Sequence, residues 1–224
     1  MATAFLMFGD LLREWRQRRR MSQMELSFEA EISTRHLSFV ETGRATPSRE
    51  MVMLLAERLK VPLRERNTLL ISAGYAPIFP ERSLEDSALS AARTAVDRIL
   101  AGHESYPALA IDRHWTLIAA NKAAQRLMTG VAPELLSPSI NVIRLSMHPL
   151  GLAPRIANLR QWREHLLTRL RHQIEVTADP VLRDLSREVS SYPIPDSGGL
   201  CAPGEVAGIV VPLQIVTDKG ILSL

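Results

Sequence analysis

A single cysteine, Cys201, stands among 224 residues, which excludes an internal disulfide and any multi-cysteine zinc site. The chain has no apolar run approaching the roughly 20 residues needed to cross a membrane. Its apolar start, MATAFLMFG, lacks a leading basic region and a small-residue cleavage site, so it does not read as a secretory signal. A cytoplasmic location is the expectation. No G-x-S-x-G elbow, Walker loop or H-E-x-x-H pair occurs. Gly198, Gly199 and Gly204 are too scattered to cradle a phosphate. His165 and His172 lie seven apart on one expected helix face, with Arg169 intervening, a poor neighbour for a cation. No metal, no cofactor and no enzymatic constellation are therefore expected.

What remains is ordinary in bulk, 46% hydrophobic and 23% charged, as in a globular protein. The distribution is less ordinary. All of the net charge of +3 falls in the first 76 residues, and the rest of the chain is balanced. Arg16, Arg18, Arg19 and Arg20 form the densest basic cluster, suited either to a solvated helix end or to phosphate attraction.

The most informative stretch is Ser22–Pro47, SQMELSFEAEISTRHLSFVETGRATP. Ser22 with Glu25 three residues later forms a capping box. Met24, Leu26 and Phe28 supply apolar mass to a first short helix, and Ile32 plugs the following turn. Ser33 caps a second helix whose Leu37 and Val40 face inward. Thr34, Arg35, His36 and Ser38 are left outside. Gly43 ends this helix and Pro47 prevents its resumption. A short helix, a turn, then a helix with exposed donors at its front is the geometry with which helix-turn-helix proteins read DNA. Helices are also expected over residues 8–19, 49–60 and 63–73, giving an all-α, five-helix module.

Residues 8–61 resemble the XRE (Cro/phage-repressor-like) helix-turn-helix family. The resemblance rests on Ser22-Gln23, Glu25-Leu26, Ile32-Ser33, Glu41-Thr42-Gly43-Arg44 and Pro47-Ser48. Two positions depart from the family frame. Ser27 replaces the usual Ala, and Glu31 stands where the turn usually has Gly, costing about 1 kcal/mol if its φ is positive. The resemblance implies base readout by Thr34, Arg35, His36 and Ser38, and backbone contacts from Gln23 and Arg44. It also implies a structural ion pair between Arg16 and Glu41, which would neutralise a carboxylate near the unfavourable end of a helix dipole.

After Gly74, the prolines at 77 and 80 suggest an extended, stiff connector over 77–86, dividing a domain of residues 1–76 from one of 87–224. The second part mixes periods. Helices are expected at 87–102, with a stripe of Leu89, Ala92, Val96, Ile99 and Leu100, and at 121–128, 141–147, 154–176 and 179–190. Residues 108–112 and 115–119 read as a hairpin. Residues 191–204 read as a loop, and 206–217 with 221–224 as a closing hairpin. The chain ends inside that β-prone run, which reads as a C-terminally truncated sheet.

YPALAIDRHWTLIAANKAAQRLM and NVIRLSMHPLGLAPRIANLRQWREHLLTRLRHQ resemble the MmyB-like ligand-binding domain found behind XRE-type helix-turn-helix domains. The resemblance implies an α+β, PAS-like sensor with a small-molecule pocket against a curved sheet. Trp115, Leu117, Met128, Met147, Trp162 and Leu166 are the candidate apolar lining, or else simply fill the core. Arg113, His114 and Arg144 could orient an anionic head group or stand solvated. The leading expectation is a dimeric regulator that binds double-stranded DNA and senses a small apolar or amphipathic molecule. The alternative is a DNA-binding protein whose second half only oligomerises or docks a protein. An enzyme with a helix-turn-helix appendage would need the missing catalytic constellation.

Overall fold

The computed structural model describes residues 7–80, 89–193, 211–218 and 220–224. Cys201, residues 81–86 of the expected connector, the start of the helix expected from Ser87, most of the 191–204 loop and residues 206–210 lie outside them. The chain divides into two compact units, Met1–Arg82 with Glu175–Thr177, and Ser83–Ile174 with Ala178–Leu224.

The first unit is helical: α1 (Phe8–Arg18), α2 (Gln23–Glu29), α3 (Thr34–Glu41), α4 (Arg49–Arg58) and α5 (Leu63–Ser72). Ser22, Ser33 and Ser48 each accept from a backbone N–H three residues on, and so start α2, α3 and α4. Around Ser22 the box is complete, because Glu25 accepts from the Ser22 N–H. Leu12, Leu26, Leu37, Val52, Leu55, Leu59 and Leu70 make the dry centre. The expectation for α2 needs correcting. Of its three large apolar residues only Leu26 is buried, whereas Met24 and Phe28 are 70% and 85% exposed. Two residues along a helix is a turn of about 200°, so they point away from Leu26. Ile32, expected as a plug, is half-buried.

Residues 77–80 do not run out as a free connector. The Asn67 side chain accepts from the N–H groups of Ile78 and Phe79 and donates to the Phe79 carbonyl at 2.6 Å. Three bonds from one side chain fold this Pro-flanked stretch against α5.

The second unit begins with α6 (Ser90–Gly102), of which only Leu100 is buried. Ile99, assigned to an inward stripe by its spacing, is 62% exposed. Then come the hairpin β1 (Leu109–Ile111) and β2 (Leu117–Ala120), α7 (Lys122–Leu127), α8 (Val142–Met147), α9 (Leu159–Thr177), α10 (Pro180–Ser190), and the hairpin β3 (Gln214–Thr217) and β4 (Gly220–Ser223). The described strands make two separate antiparallel pairs where the resemblance implies one curved sheet. Single bridges, Thr116 to Asn141 and Ile156 to Ile215, tie each pair to neighbouring loops.

α9 starts five residues later than the spacing of its apolar positions suggests. Residues 153–155 form a 3₁₀ turn instead, and Asn158 holds β3 by donating to the Pro212 carbonyl and accepting from the Gln214 N–H. No helix among the described residues is long and apolar enough to cross a membrane.

A candidate nucleic-acid interface

α3 is a helix with a sharply divided surface. Leu37, Val40 and Glu41 are buried. At 100° per residue their directions leave Arg35, Phe39 and Thr42 at the centre of the outward arc. Ser38 lies toward one edge of that arc and His36 toward the other. Arg35 and Thr42 are exposed, and Phe39, Ser38 and His36 are half-buried. The Arg35 guanidinium lies 5.4 Å from the Phe39 ring centroid, and that of Arg44 lies 6.0 Å from it. Sequence spacing alone does not single out Phe39, because an aromatic at helical spacing reads as core. Its offset of four from Arg35 is the signal that places it outside.

The turn before α3 is held in two ways. Glu31 adopts φ +54°, the left-handed conformation its place in the turn requires. Ser27, buried at 3%, donates to the Met24 carbonyl and shares a hydrogen bond with the Thr34 hydroxyl. Thr34 therefore helps fix α3 against α2, although it is exposed at the front of the helix. Gly43, at φ +70°, reverses the chain after α3, and Arg44 follows it at the surface.

Glu41 is the electrostatic centre of this unit. Its carboxylate is fully buried and accepts from Arg16 Nε at 2.7 Å and Arg16 Nη2 at 2.9 Å. Gln23 Nε2 adds a third bond at 2.7 Å, and Arg13 Nε stands 3.7 Å away. Burial pushes the Glu41 pKa up, but the bonds from Arg16 and Gln23 and the charges of Arg16 and Arg13 outweigh it and hold the carboxyl below its ordinary value. Gln23 thus spends one amide hydrogen on Glu41 and keeps a second for another acceptor. Close approach of α1 to α3 makes this network possible. A Cβ at Gly9 would lie 2.4 Å from the Glu41 carbonyl oxygen.

The Arg16–Arg20 cluster is largely consumed by the fold. Arg16 serves Glu41, Arg18 pairs with Glu14, and Arg19 donates to the Leu59 carbonyl with its guanidinium 5.3 Å from the Trp15 ring. Phosphate attraction by those three side chains is the reading this geometry displaces.

In the second unit the candidate lining residues fall into two apolar clusters. Met147 and Leu166 are buried in one, with Ile143, Leu170, Leu182, Leu185 and Val189, and Trp115 packs on it. Met128 packs on the other, around Val131, Leu145, Leu152, Ile156 and Leu159. Trp162 touches both, and its indole N–H is buried without a hydrogen-bond partner. Leu117 is half-buried on β2. Two of the three cationic candidates are engaged elsewhere, while Arg113 is exposed. His114 Nε2 is 2.8 Å from Asp179, which also caps α10, and Arg144 makes a bidentate pair with Glu188.

Two family models match. Residues 7–69 match a helix-turn-helix domain, and residues 92–197 match the MmyB-like transcription regulator ligand binding domain. Among curated relatives, the uncharacterized HTH-type transcriptional regulator RghRB of Bacillus subtilis is 37% identical over 81 residues, covering 36% of this chain and 56% of that protein. The chain thus spans about half the length of that relative. Among solved structures, the clp gene regulator ClgR from Corynebacterium glutamicum is 26% identical, with 43% of this chain and 89% of that chain covered and a TM-score of 0.27.

Proposed function

From a chain that joins a helix-turn-helix domain to an MmyB-like ligand-binding domain, we propose a cytoplasmic, sequence-specific transcription regulator whose second domain senses a small apolar or amphipathic molecule. The observation that carries the DNA-binding part is α3. It is capped at the front, buried along Leu37, Val40 and Glu41, and presents Arg35 at the middle of its outward face. A guanidinium there suits the paired acceptors of a guanine edge in the major groove. Thr34, His36 and Ser38 flank it as further base contacts. Gln23 and Arg44, at the start of α2 and just after α3, serve as backbone anchors. One recognition helix reads too few base pairs for a specific genomic site, so the regulator acts as a homodimer on a palindrome with half-sites about 34 Å apart.

The sensing part is supported by Trp162. An unpartnered indole donor between two apolar clusters is costly unless an acceptor visits it, whether water or ligand. Regulation requires that ligand favour one DNA-affinity state over the other, a coupling of about 1–3 kcal/mol. The second reading, a half that only oligomerises, gains from the packed state of Met147 and Leu166.

Selection of duplexes from a random library tests the DNA part. The full chain should enrich a palindrome, and Arg35→Ala should relax preference at one base pair per half-site by about 1–3 kcal/mol. Equal weakening on all sequences would reduce Arg35 to a phosphate contact. Native mass spectrometry separates sensing from plain oligomerisation. A stoichiometric small molecule supports a sensor, and a ligand-free dimer in every preparation supports the second reading.

A further inference from the structure

The outward face of α3 carries an aromatic where hydrogen-bonding side chains would be expected. Phe39 sits beside Arg35 in the outward arc, half-buried, with both the Arg35 and Arg44 guanidiniums over its ring. A phenyl ring neither donates nor accepts in the plane of a base edge. The base-edge feature it matches in the major groove is the C5-methyl of thymine. The same ring contacts the Arg35 guanidinium, which restricts that side chain before it enters the groove. We propose that Phe39 is a specificity-determining residue that reads a thymine methyl at the base pair adjoining the guanine read by Arg35. The inference rests on the DNA-binding reading above.

The distances put the two contacts close together along the duplex. The guanidinium and the ring centroid are 5.4 Å apart. Successive bases rise about 3.4 Å along the duplex. The separation is between one and two such rises, which lets the ring reach the step beside the guanine. The half-site should therefore contain a thymine next to a guanine. Arg44 leaves the ring for the phosphate backbone when the duplex docks, which leaves the Arg35–Phe39 pair as the reading element.

The test uses the full chain and the duplex it enriches from a random library. Each thymine is replaced in turn by deoxyuridine, which removes only the methyl. Wild type should lose about fourfold in affinity at one thymine per half-site, the value of one buried methyl-sized carbon. That thymine should adjoin a guanine where Arg35→Ala relaxes preference. Phe39→Ala should bind thymine and uracil duplexes equally, and Phe39→Gln, a polar variant that suits a half-exposed helix position, should do the same. A wild-type scan with no sensitive thymine beside that guanine overturns the proposal, whatever the variants do. So does a uracil penalty that persists in either variant. A library that yields no enriched duplex overturns DNA reading itself, and the proposal with it.

Discussion

Replacing Glu41 with Gln should cost the first unit about 3 kcal/mol. The substitution keeps shape and removes charge. Oε1 accepts from Arg16 Nε, while Oε2 accepts from both Arg16 Nη2 and Gln23 Nε2. A glutamine amide must therefore set its NH₂ against at least one N–H donor in either orientation. Arg16 is left charged, with only 11% of its side chain exposed. Breaking one partner of a buried pair costs about 3–5 kcal/mol. The low end applies because Arg16 keeps its bond to the Met21 carbonyl and some contact with water. Native-state hydrogen exchange reads this for one unit of a two-unit chain. The slowest amides of α1 and α3 should exchange roughly a hundredfold faster. The pH dependence has a definite sign. Glu41 titrates below its ordinary value of 4.5 when folded, so its contribution is complete above that value and is lost as pH falls through the lower, folded one. The gap between wild type and Glu41→Gln should stay constant near neutrality and close only in acid. Replacing both partners, Arg16→Met with Glu41→Leu, should restore most of the loss. A penalty below about 1 kcal/mol for Glu41→Gln would show that the pair behaves as a solvated one, and the reasoning from burial would fail.

Gly9→Ala should lower the melting temperature despite the better helix propensity of Ala, because its Cβ would meet the Glu41 carbonyl oxygen at 2.4 Å and overpacking costs about 1–3 kcal/mol. Gly102→Ala is the control, with nothing within 4 Å of the added carbon, and should be neutral or slightly stabilising in the same melts. Arg44→Ala should lower the slope of log affinity against log salt by about one, and an unchanged slope would remove Arg44 from the interface. Trp162→Ala should change the response to a co-purified ligand while operator affinity of the ligand-free protein holds. If circular dichroism shows that variant unfolded, Trp162 is core and the lining assignment falls.

The helix-turn-helix was legible because its signals are local. Ser22 and Ser33 announce helix starts within four residues, and the capping box at Ser22 is a reciprocal pair inside one turn. What was not legible depended on other elements. Nothing near Phe28 or Ile99 in sequence says that no neighbour arrives to cover them. The start of α9 is not legible because Asn158 answers to β3, more than fifty residues away. The Arg16–Arg20 cluster read as a surface charge run because Glu41 and the Leu59 carbonyl, its real partners, are remote in the chain. At the candidate interface, Arg35 follows from its position after a cap, whereas Phe39 reads as core by residue type even though Leu37 and Val40 mark the opposite, inward face.

The most direct test is the ratio of affinities for the enriched duplex and for a scrambled duplex of equal length, measured on the full chain at about 150 mM salt. A regulator that reads sequence through α3 should favour the enriched duplex by about a thousandfold or more, with half-sites centred about ten base pairs apart. Equal affinities for both duplexes at every salt concentration would contradict sequence reading by this chain and leave only charge attraction.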